Sequence, residues 1–256
     1  MDLLESVILG LAGLFGGVLA GLFGVGGGTV FVPALVYGAG WGIGEAVAAS
    51  LVVIVFSALS GTLRSVRSEV PVNWRAAALF SLAVAPSSLI GVAASNFFSE
   101  TLTQLVFAGF LLALAYPTAR SGKRYREGIG GPAGSHLAVA LLGGVAAGAL
   151  AGLIGIGGAV LTVPLLIFGF GLSPKTAIST SLVVTLSVGV VGAVGYVAAG
   201  FDRLSGLPLL IIGSMIGAWP GVRLREHLPE TVLQRIFAAY MVVIAVLMIV
   251  DAANGS

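Results

Sequence analysis

Apolar residues fill this chain in long runs that short polar segments separate. The runs cover residues 5–23, 28–39, 46–63, 76–94 and 102–119 in the first half, and 136–154, 159–170, 176–199, 206–222 and 234–250 in the second. All but the second run of each half are long enough to cross a hydrocarbon core of about 30 Å as a helix. A membrane β-barrel would show short alternating segments instead, so the pattern predicts a bundle of membrane helices.

The two halves of the chain repeat each other. At a shift of 131 positions, 16 of the 34 residue pairs between Ala20–Val53 and Ala151–Val184 are identical. A shift of 130 positions pairs Glu100–Ala108 with Glu230–Ala238. Two homologous membrane repeats joined by a basic linker therefore make up the chain. They are predicted to cover residues 1–119 for the first repeat, 120–135 for a cytoplasmic linker and 136–256 for the second repeat.

The short apolar run of each half follows a glycine cluster and allows two arrangements. If it completes one broken crossing with the run before it, each half crosses the membrane four times and both halves point the same way. If the two runs enter and return as a hairpin, each half crosses three times and the second half is inverted. With the linker in the cytoplasm, the hairpin arrangement puts eleven Lys and Arg residues inside and only Arg203 outside, whereas the broken crossing gives eight and four.

The positive-inside rule therefore favours the hairpin. The predicted fold is an all-α polytopic membrane protein with two inverted repeats, each a glycine-broken re-entrant hairpin plus three transmembrane helices. Discontinuous helices in inverted repeats are typical of secondary transporters, which bind substrate near the membrane midplane where the helices break.

Composition supports a membrane protein and excludes several other classes. Hydrophobic residues make up 58% of the chain and charged residues only 9%, against roughly a quarter charged in soluble domains. The net charge of +2 lies in short loops, where it sets orientation and gives no reason to expect nucleic-acid binding. There is no cysteine and no constellation of His or paired carboxylates, so we expect neither an enzyme nor a metal site. Asp2 and Glu5 stand where a signal peptide would carry Lys or Arg, so we expect this segment in the mature protein.

The glycine clusters Gly24–Gly28 and Gly155–Gly158 mark the break in each hairpin. The first N–H groups of the helix that follows have no acceptor within it, and the helix dipole places about half a positive charge there. Glycines let a small anion approach that backbone closely. The predicted spans have no Lys or Arg at their centres, so backbone amides are expected to provide most of the anion binding. The candidate binding residues at these turns are Gly26, Gly27, Gly28, Thr29, Gly157, Gly158 and Ala159.

Glycines spaced by four have a different predicted use. In lipid, such small residues let two helices pack closely without any ligand. We assign this packing role to Gly13, Gly17, Gly21, Gly144, Gly148 and Gly152.

Hydroxyl and proline side chains flank the hairpins. Ser50 and Ser181 open a repeated Ser-Leu-Val-Val segment, and Thr180 precedes Ser181. Two uses of these hydroxyl groups are open: they donate to substrate oxygens, or they bond back to carbonyls of their own helix. Pro33 and Pro164 are predicted to kink the half-helices.

The doubled motif resembles one known family. Two copies of the pattern A-G-[LIF]-x-G-[VI]-G-G-x-x-[LIVF]-x-V-P, each followed by A-x-x-x-S-L, are similar to the TauE/SafE sulfite exporter family, also called the toluene sulfonate uptake permease family. The copies are Ala20–Pro33 with Ala46–Leu51, and Ala151–Pro164 with Ala177–Leu182. The resemblance implies a multi-pass transporter in the inner membrane of a bacterium or archaeon. Its implied substrate is a small organosulfur anion such as sulfite, a sulfonate, sulfoacetate or a relative of taurine, with no cofactor.

The expected reaction is export of that anion. An anion leaving a negative-inside cell gains about 2.3 kcal/mol per charge per 100 mV, so efflux needs no proton site. The alternative is a proton-coupled uptake permease for organic or inorganic sulfur anions. Glu45 heads a span beside the first hairpin and is the coupling candidate for that alternative. A permease subunit driven by a separate ATPase also remains open, as does the oligomeric state.

Overall fold

A computed structural model describes residues 3–94, 100–126, 133–154, 159–198, 200 and 207–253. These residues form helices and contain no strand. The helices of the first half are α1 (Leu3–Phe23), α2 (Gly28–Pro33), which continues into a π-helical turn (Ala34–Gly38), α3 (Ile43–Val66), α4 (Trp74–Ala94) and α5 (Glu100–Arg126). Those of the second half are α6 (Ala133–Ile154), α7 (Ala159–Phe170), α8 (Pro174–Ala198), α9 (Leu207–His227) and α10 (Glu230–Ala253).

The described residues of every predicted apolar run are almost entirely helical, so the all-helical membrane class is confirmed. Within the described residues, six helices are long and apolar enough to cross a membrane: α1, α3, α4, α8, α9 and α10. In the described part of the chain, α5 and α6 contribute shorter apolar stretches, Gln104–Ala119 and Leu141–Leu153. The helix α5 also continues to Arg126, into the segment predicted as a linker, because Lys and Arg are good helix formers that extend a helix into water.

Glycine faces join the first helix of each half to a helix of the other half. A Cβ atom on Gly17 would lie 2.2 Å from the backbone oxygen of Ser214 in α9, and one on Gly152 would lie 2.0 Å from that of Ser88 in α4. Side chains of any size at these positions would force the helices apart. The predicted packing role of the glycines spaced by four is therefore confirmed, and the contact partners are exchanged between the halves: α1 packs on α9, and α6 on α4.

Contact pairs along the helices give their relative directions. Gly13 faces Leu210 and Gly21 faces Ala218, so α1 and α9 run the same way; Gly144 faces Phe80 and Gly152 faces Ser88, so α6 and α4 do as well. In contrast, Gly61 of α3 faces Leu182 of α8 while Gly189 of α8 faces Ile54 of α3, so α3 and α8 run in opposite directions. The Ser60 hydroxyl reaches the Met215 carbonyl and Ser65 reaches Arg225, so α3 runs parallel to α9.

These directions bring the charged helix ends together at two faces of the bundle. We call one face the basic end, because the last turns of α3 and α9 and the first turns of α4 and α8 meet there. It carries Arg64, Arg67, Arg75, Lys175, Arg223 and Arg225. The opposite face is the acidic end. There the Asp251 carboxylate of α10 accepts hydrogen bonds from Tyr37 (3.0 Å) and Gln104 (2.9 Å), and Glu45 lies in the first turn of α3.

Candidate functional site

The first glycine turn, Gly24–Gly28, connects α1 to α2 through a backbone that only glycine adopts readily. The φ angles of Gly24, Gly26 and Gly27 are 72°, 75° and 85°, in the left-handed region. Gly27 is the N-cap of α2, and its carbonyl accepts from Val30 (2.9 Å) and Phe31 (3.1 Å). The glycines are thus needed first for the reversal of the chain itself.

This turn is buried at half the depth of two long helices. The Ser57 hydroxyl donates to the Gly26 carbonyl at 2.8 Å, and a Cβ atom on Gly26 would lie 2.7 Å from Thr185 and 3.0 Å from Ile54. Ile54 and Ser57 lie near the middle of α3, and Thr185 lies near the middle of α8. The chain therefore turns back on itself in the interior of the bundle.

Hydroxyl groups from both long helices hold the carbonyls of the turn. Ser181 donates to the Gly24 carbonyl (3.1 Å), sharing its proton with the Ile178 carbonyl of its own helix (2.9 Å). Thr185 donates to the same Gly24 oxygen at 3.3 Å. The Gly24 and Gly26 carbonyls therefore already accept hydrogen bonds. The first amides of a helix have no acceptor within it, so the amides at the start of α2 are the groups of this turn that could donate to a ligand.

The helix α10 reaches the same turn through Tyr240. Its hydroxyl is hydrogen bonded to Thr29 Oγ1, and its ring stacks on Phe23, with centroids 5.0 Å apart. Phe237 packs on Phe23 as well, at 5.5 Å. Tyr240 gives no signal in the sequence, because its counterpart in the first repeat is Phe110 and the two residues differ.

The remaining predicted hydroxyls have other partners. Ser50 is buried in α3 and bonds back to the Val47 carbonyl at 2.7 Å. Thr180 is buried in α8 and accepts from the backbone amide of Asn73, ahead of α4, at 3.1 Å. Of the predicted hydroxyls, Thr29 and Ser181 thus meet at the first glycine turn, while Thr180 contacts the segment that leads into α4.

The second glycine turn contains the predicted site residues Gly157 and Gly158, which lie outside the described residues. Ala159 is the first residue of α7. Pro164 lies inside α7, and Pro33 is the last residue of α2, where the helix widens into the π-helical turn. Glu45 is exposed in the first turn of α3, at the acidic end and away from the first glycine turn.

Arg225 is a buried cation, although it lies three residues beyond the predicted apolar run 206–222. The helix α9 continues to His227, so Arg225 lies within it and is 0% exposed. Its guanidinium donates to the Gly21 carbonyl of α1 (3.2 Å), to Ser65 of α3 (2.9 Å) and to Ser179 of α8 (3.1 Å). A signal was present: Gly213, Gly217, Gly221 and Arg225 are spaced by four, so Arg225 continues the face of α9 that packs on α1.

Within the described residues, no group of three or more His, Asp or Glu side chains could hold a metal ion. The long apolar helices and the buried glycine turn define the class of protein, a multi-pass membrane transporter. The family comparison then places it among known proteins: the chain belongs to the family described as sulfite exporter TauE/SafE, whose model matches residues 9–248.

Several relatives cover most of the chain. A protein of Bacillus subtilis named "Probable membrane transporter protein YunE" is 28% identical over 86% of this chain and 87% of its own length. A second B. subtilis protein, "Probable membrane transporter protein YdhB", is 26% identical over 85% of this chain and 89% of its own. "Probable membrane transporter protein MJ0441" of Methanocaldococcus jannaschii is 28% identical over 78% and 75%. No solved structure matches the chain.

Proposed function

We propose that this protein is a secondary transporter that exports a small organosulfur anion across the bacterial inner membrane. The observation that carries the proposal is the first glycine turn, a break in the helices that is buried halfway along α3 and α8. An interruption of this kind at mid-depth is where secondary transporters bind substrate. Membership of the sulfite exporter family supports a sulfur oxyanion, with sulfite, sulfonates, sulfoacetate and taurine or hypotaurine as candidates.

The proposed topology has two inverted halves. The helix directions support it: α1 and α3 run together with α9, whereas their repeat counterparts α6 and α8 run together with α4 in the opposite direction. The gathering of Arg and Lys at one end supports a cytoplasmic basic end by the positive-inside rule. The second glycine turn would then approach the midplane from the side opposite to the first.

Recognition of the anion is assigned to backbone amides. The candidate set is Gly26, Gly27, Gly28 and Thr29 in the first half, with Gly157, Gly158 and Ala159 in the second, and with the hydroxyls of Ser50, Thr180 and Ser181 in the long helices α3 and α8 that follow the two hairpins. Amides aimed along a helix axis bind an oxyanion through its oxygens. Such a site would accept sulfite and a sulfonate alike, because it contacts the oxygens that they share.

Export is proposed because the membrane potential alone drives an anion outward. Glu45, the candidate for proton coupling, is exposed in the first turn of α3, at the acidic end. The alternative function is proton-coupled uptake of a sulfur anion. It needs a side chain whose protonation is coupled to binding of the substrate. Flux that requires both a pH gradient and the Glu45 carboxylate would favour this alternative.

The site is tested by equilibrium binding to the purified chain in detergent. Sulfite, thiosulfate, sulfoacetate, taurine, hypotaurine and acetate are titrated at constant ionic strength against wild type, Gly27→Ala and Gly10→Ala. A Cβ atom on Gly27 would lie 2.6 Å from the Gly16 carbonyl oxygen and would oppose the positive φ, whereas one on Gly10 meets nothing within 4 Å. We expect at least a tenfold rise in Kd for Gly27→Ala only. A folded Gly27→Ala protein with the wild-type Kd would show that the anion binds elsewhere.

A further inference from the structure

Arg225 occupies an unusual position for a cation. It is 0% exposed where α1, α3, α8 and α9 meet, and all of its hydrogen-bond acceptors in the described residues are neutral. Burying a charge is costly unless an opposite charge is close and hydrogen bonded to it. The guanidinium therefore has unused capacity to bind an anion.

Three hydrogen-bond donors around Arg225 have no acceptor among the residues that the structure describes. The Arg225 Nε atom is buried and has no partner in the described part of the chain. The Ser65 and Ser179 hydroxyls accept from Nη2, so their own protons are available to another acceptor, and no such acceptor is found for them among the described residues. An N–H group of a guanidinium beside two O–H groups is a donor set that suits an oxyanion.

Capping of a helix end does not explain the charge. Arg225 donates to the carbonyl of Gly21, which lies near the end of α1 in the first half of the chain. The repeat counterpart of Gly21 is Gly152, near the end of α6, and its carbonyl accepts from the neutral Tyr196 hydroxyl at 3.2 Å. A neutral donor serves the Gly152 carbonyl, so capping of a helix end does not by itself require the positive charge of Arg225.

The surroundings of Arg225 are positively charged overall. Its neighbour Glu226 pairs its Oε2 atom with Arg64 at 3.1 Å, and Lys175 Nζ donates to the Glu226 backbone carbonyl at 2.8 Å. These four residues, the cations Arg64, Lys175 and Arg225 with the carboxylate Glu226, carry a net charge of +2. Such a cluster raises the local concentration of anions.

Arg225 also lies between the basic end and the first glycine turn. Ser179 is two residues before Ser181, which bonds the Gly24 carbonyl, and Gly21 is one turn of α1 before Gly24. A group bound by Arg225 would thus be close to the turn but nearer to the basic end.

We propose that Arg225, Ser65 and Ser179 form a second oxyanion-binding site, through which the transported anion passes between the basic end and the first glycine turn. The inference rests on the proposed function, because it assumes that the substrate is an anion that reaches that turn. Without an anion, the guanidinium caps Gly21; with one, Nε and the two serine hydroxyls donate to its oxygens.

The test compares Arg225→Gln with Arg223→Gln, which removes the same charge from an exposed position two residues away on α9. Thermal unfolding of the purified full chain is followed while sulfite, thiosulfate or sulfoacetate is titrated at constant ionic strength. We expect wild type and Arg223→Gln to be stabilised by at least one of these anions with the same apparent Kd. Arg225→Gln should show a Kd at least tenfold higher, and Arg225→Lys an intermediate value. A lower unfolding temperature in Arg225→Gln with an unchanged Kd would mean that Arg225 only caps α1, and would overturn the proposal.

A second variant keeps the test decisive if Arg225→Gln fails to fold. Ser65→Ala combined with Ser179→Ala retains the guanidinium and its contact with Gly21, and should raise the Kd severalfold; an unchanged Kd would refute the site. Transport separates this result from the proposed function. If wild type moves no anion in liposomes but binds one that Arg225→Gln does not, the site stands and the transport proposal fails. If wild type transports and Arg225→Gln has the same KM from the basic side, the site fails alone.

Discussion

The two hydroxyls that hold the Gly24 carbonyl allow a quantitative test of how the first glycine turn is fixed. Ser181 and Thr185 donate to the same buried oxygen, at 3.1 and 3.3 Å. Ser181→Ala or Thr185→Val alone leaves the other donor in place, so each should lower the free energy of unfolding by about 0.5–1.5 kcal/mol. The double variant leaves the carbonyl buried without these donors, which adds an estimated desolvation penalty of about 1–3 kcal/mol. The two substitutions should therefore be coupled by at least about 1 kcal/mol.

The assay is equilibrium unfolding of the full chain in mixed micelles, with the four proteins of the double-mutant cycle measured side by side. Ser187→Ala is the matched control, because Ser187 lies in the same helix and its hydroxyl donates to the Val184 carbonyl of that helix, at 2.7 Å, with no other partner among the described residues. It should change stability by less than about 0.5 kcal/mol. An additive double variant would refute the shared hydrogen bond, as would single variants that behave like the control.

Three further predictions concern other parts of the bundle. Gly17→Ala places a methyl group 2.2 Å from the Ser214 carbonyl oxygen and should lower the free energy of unfolding by about 1–3 kcal/mol. The control Gly10→Ala, which meets nothing within 4 Å, should change it by less than about 0.5 kcal/mol. Equal effects of the two substitutions would contradict the packing of α1 on α9. Tyr240→Phe keeps the ring but removes the hydrogen bond to α2, and should cost about 1 kcal/mol in the same assay; no loss would show that the bond contributes nothing. Glu45→Gln should leave potential-driven anion flux in proteoliposomes unchanged, and abolition of that flux would favour proton coupling.

The helices could be predicted because lipid imposes a simple rule on them. A segment that crosses the hydrocarbon core must be apolar and long, so most runs in the sequence give elements with nearly correct bounds, as for 28–39 against Gly28–Gly38 and 159–170 against Ala159–Phe170. The exceptions are α5 and α9, which continue past their apolar runs to Arg126 and His227. The glycine positions were informative for the same reason. Spacing by four marked helix contacts, and consecutive glycines marked the turn.

The partners of polar side chains could not be predicted, because they depend on contacts between distant helices. The sequence left two uses open for Ser181, and the structure combines a bond to its own helix with one to Gly24, 157 residues away. Arg225 resembled the loop residues that set membrane orientation. Only the meeting of four helices at its side chain reveals that it is buried.

The most direct test of the central claim is anion efflux from liposomes that contain the purified protein alone. Vesicles loaded with sulfite, thiosulfate, sulfoacetate or taurine are given a potassium diffusion potential, negative inside, and release of the anion is followed over time. The proposed function predicts saturable efflux of at least one sulfur oxyanion that rises with the potential and stops when the potential is dissipated. Absence of flux for every anion, or flux that ignores the potential and follows only a pH gradient, would contradict export driven by the membrane potential.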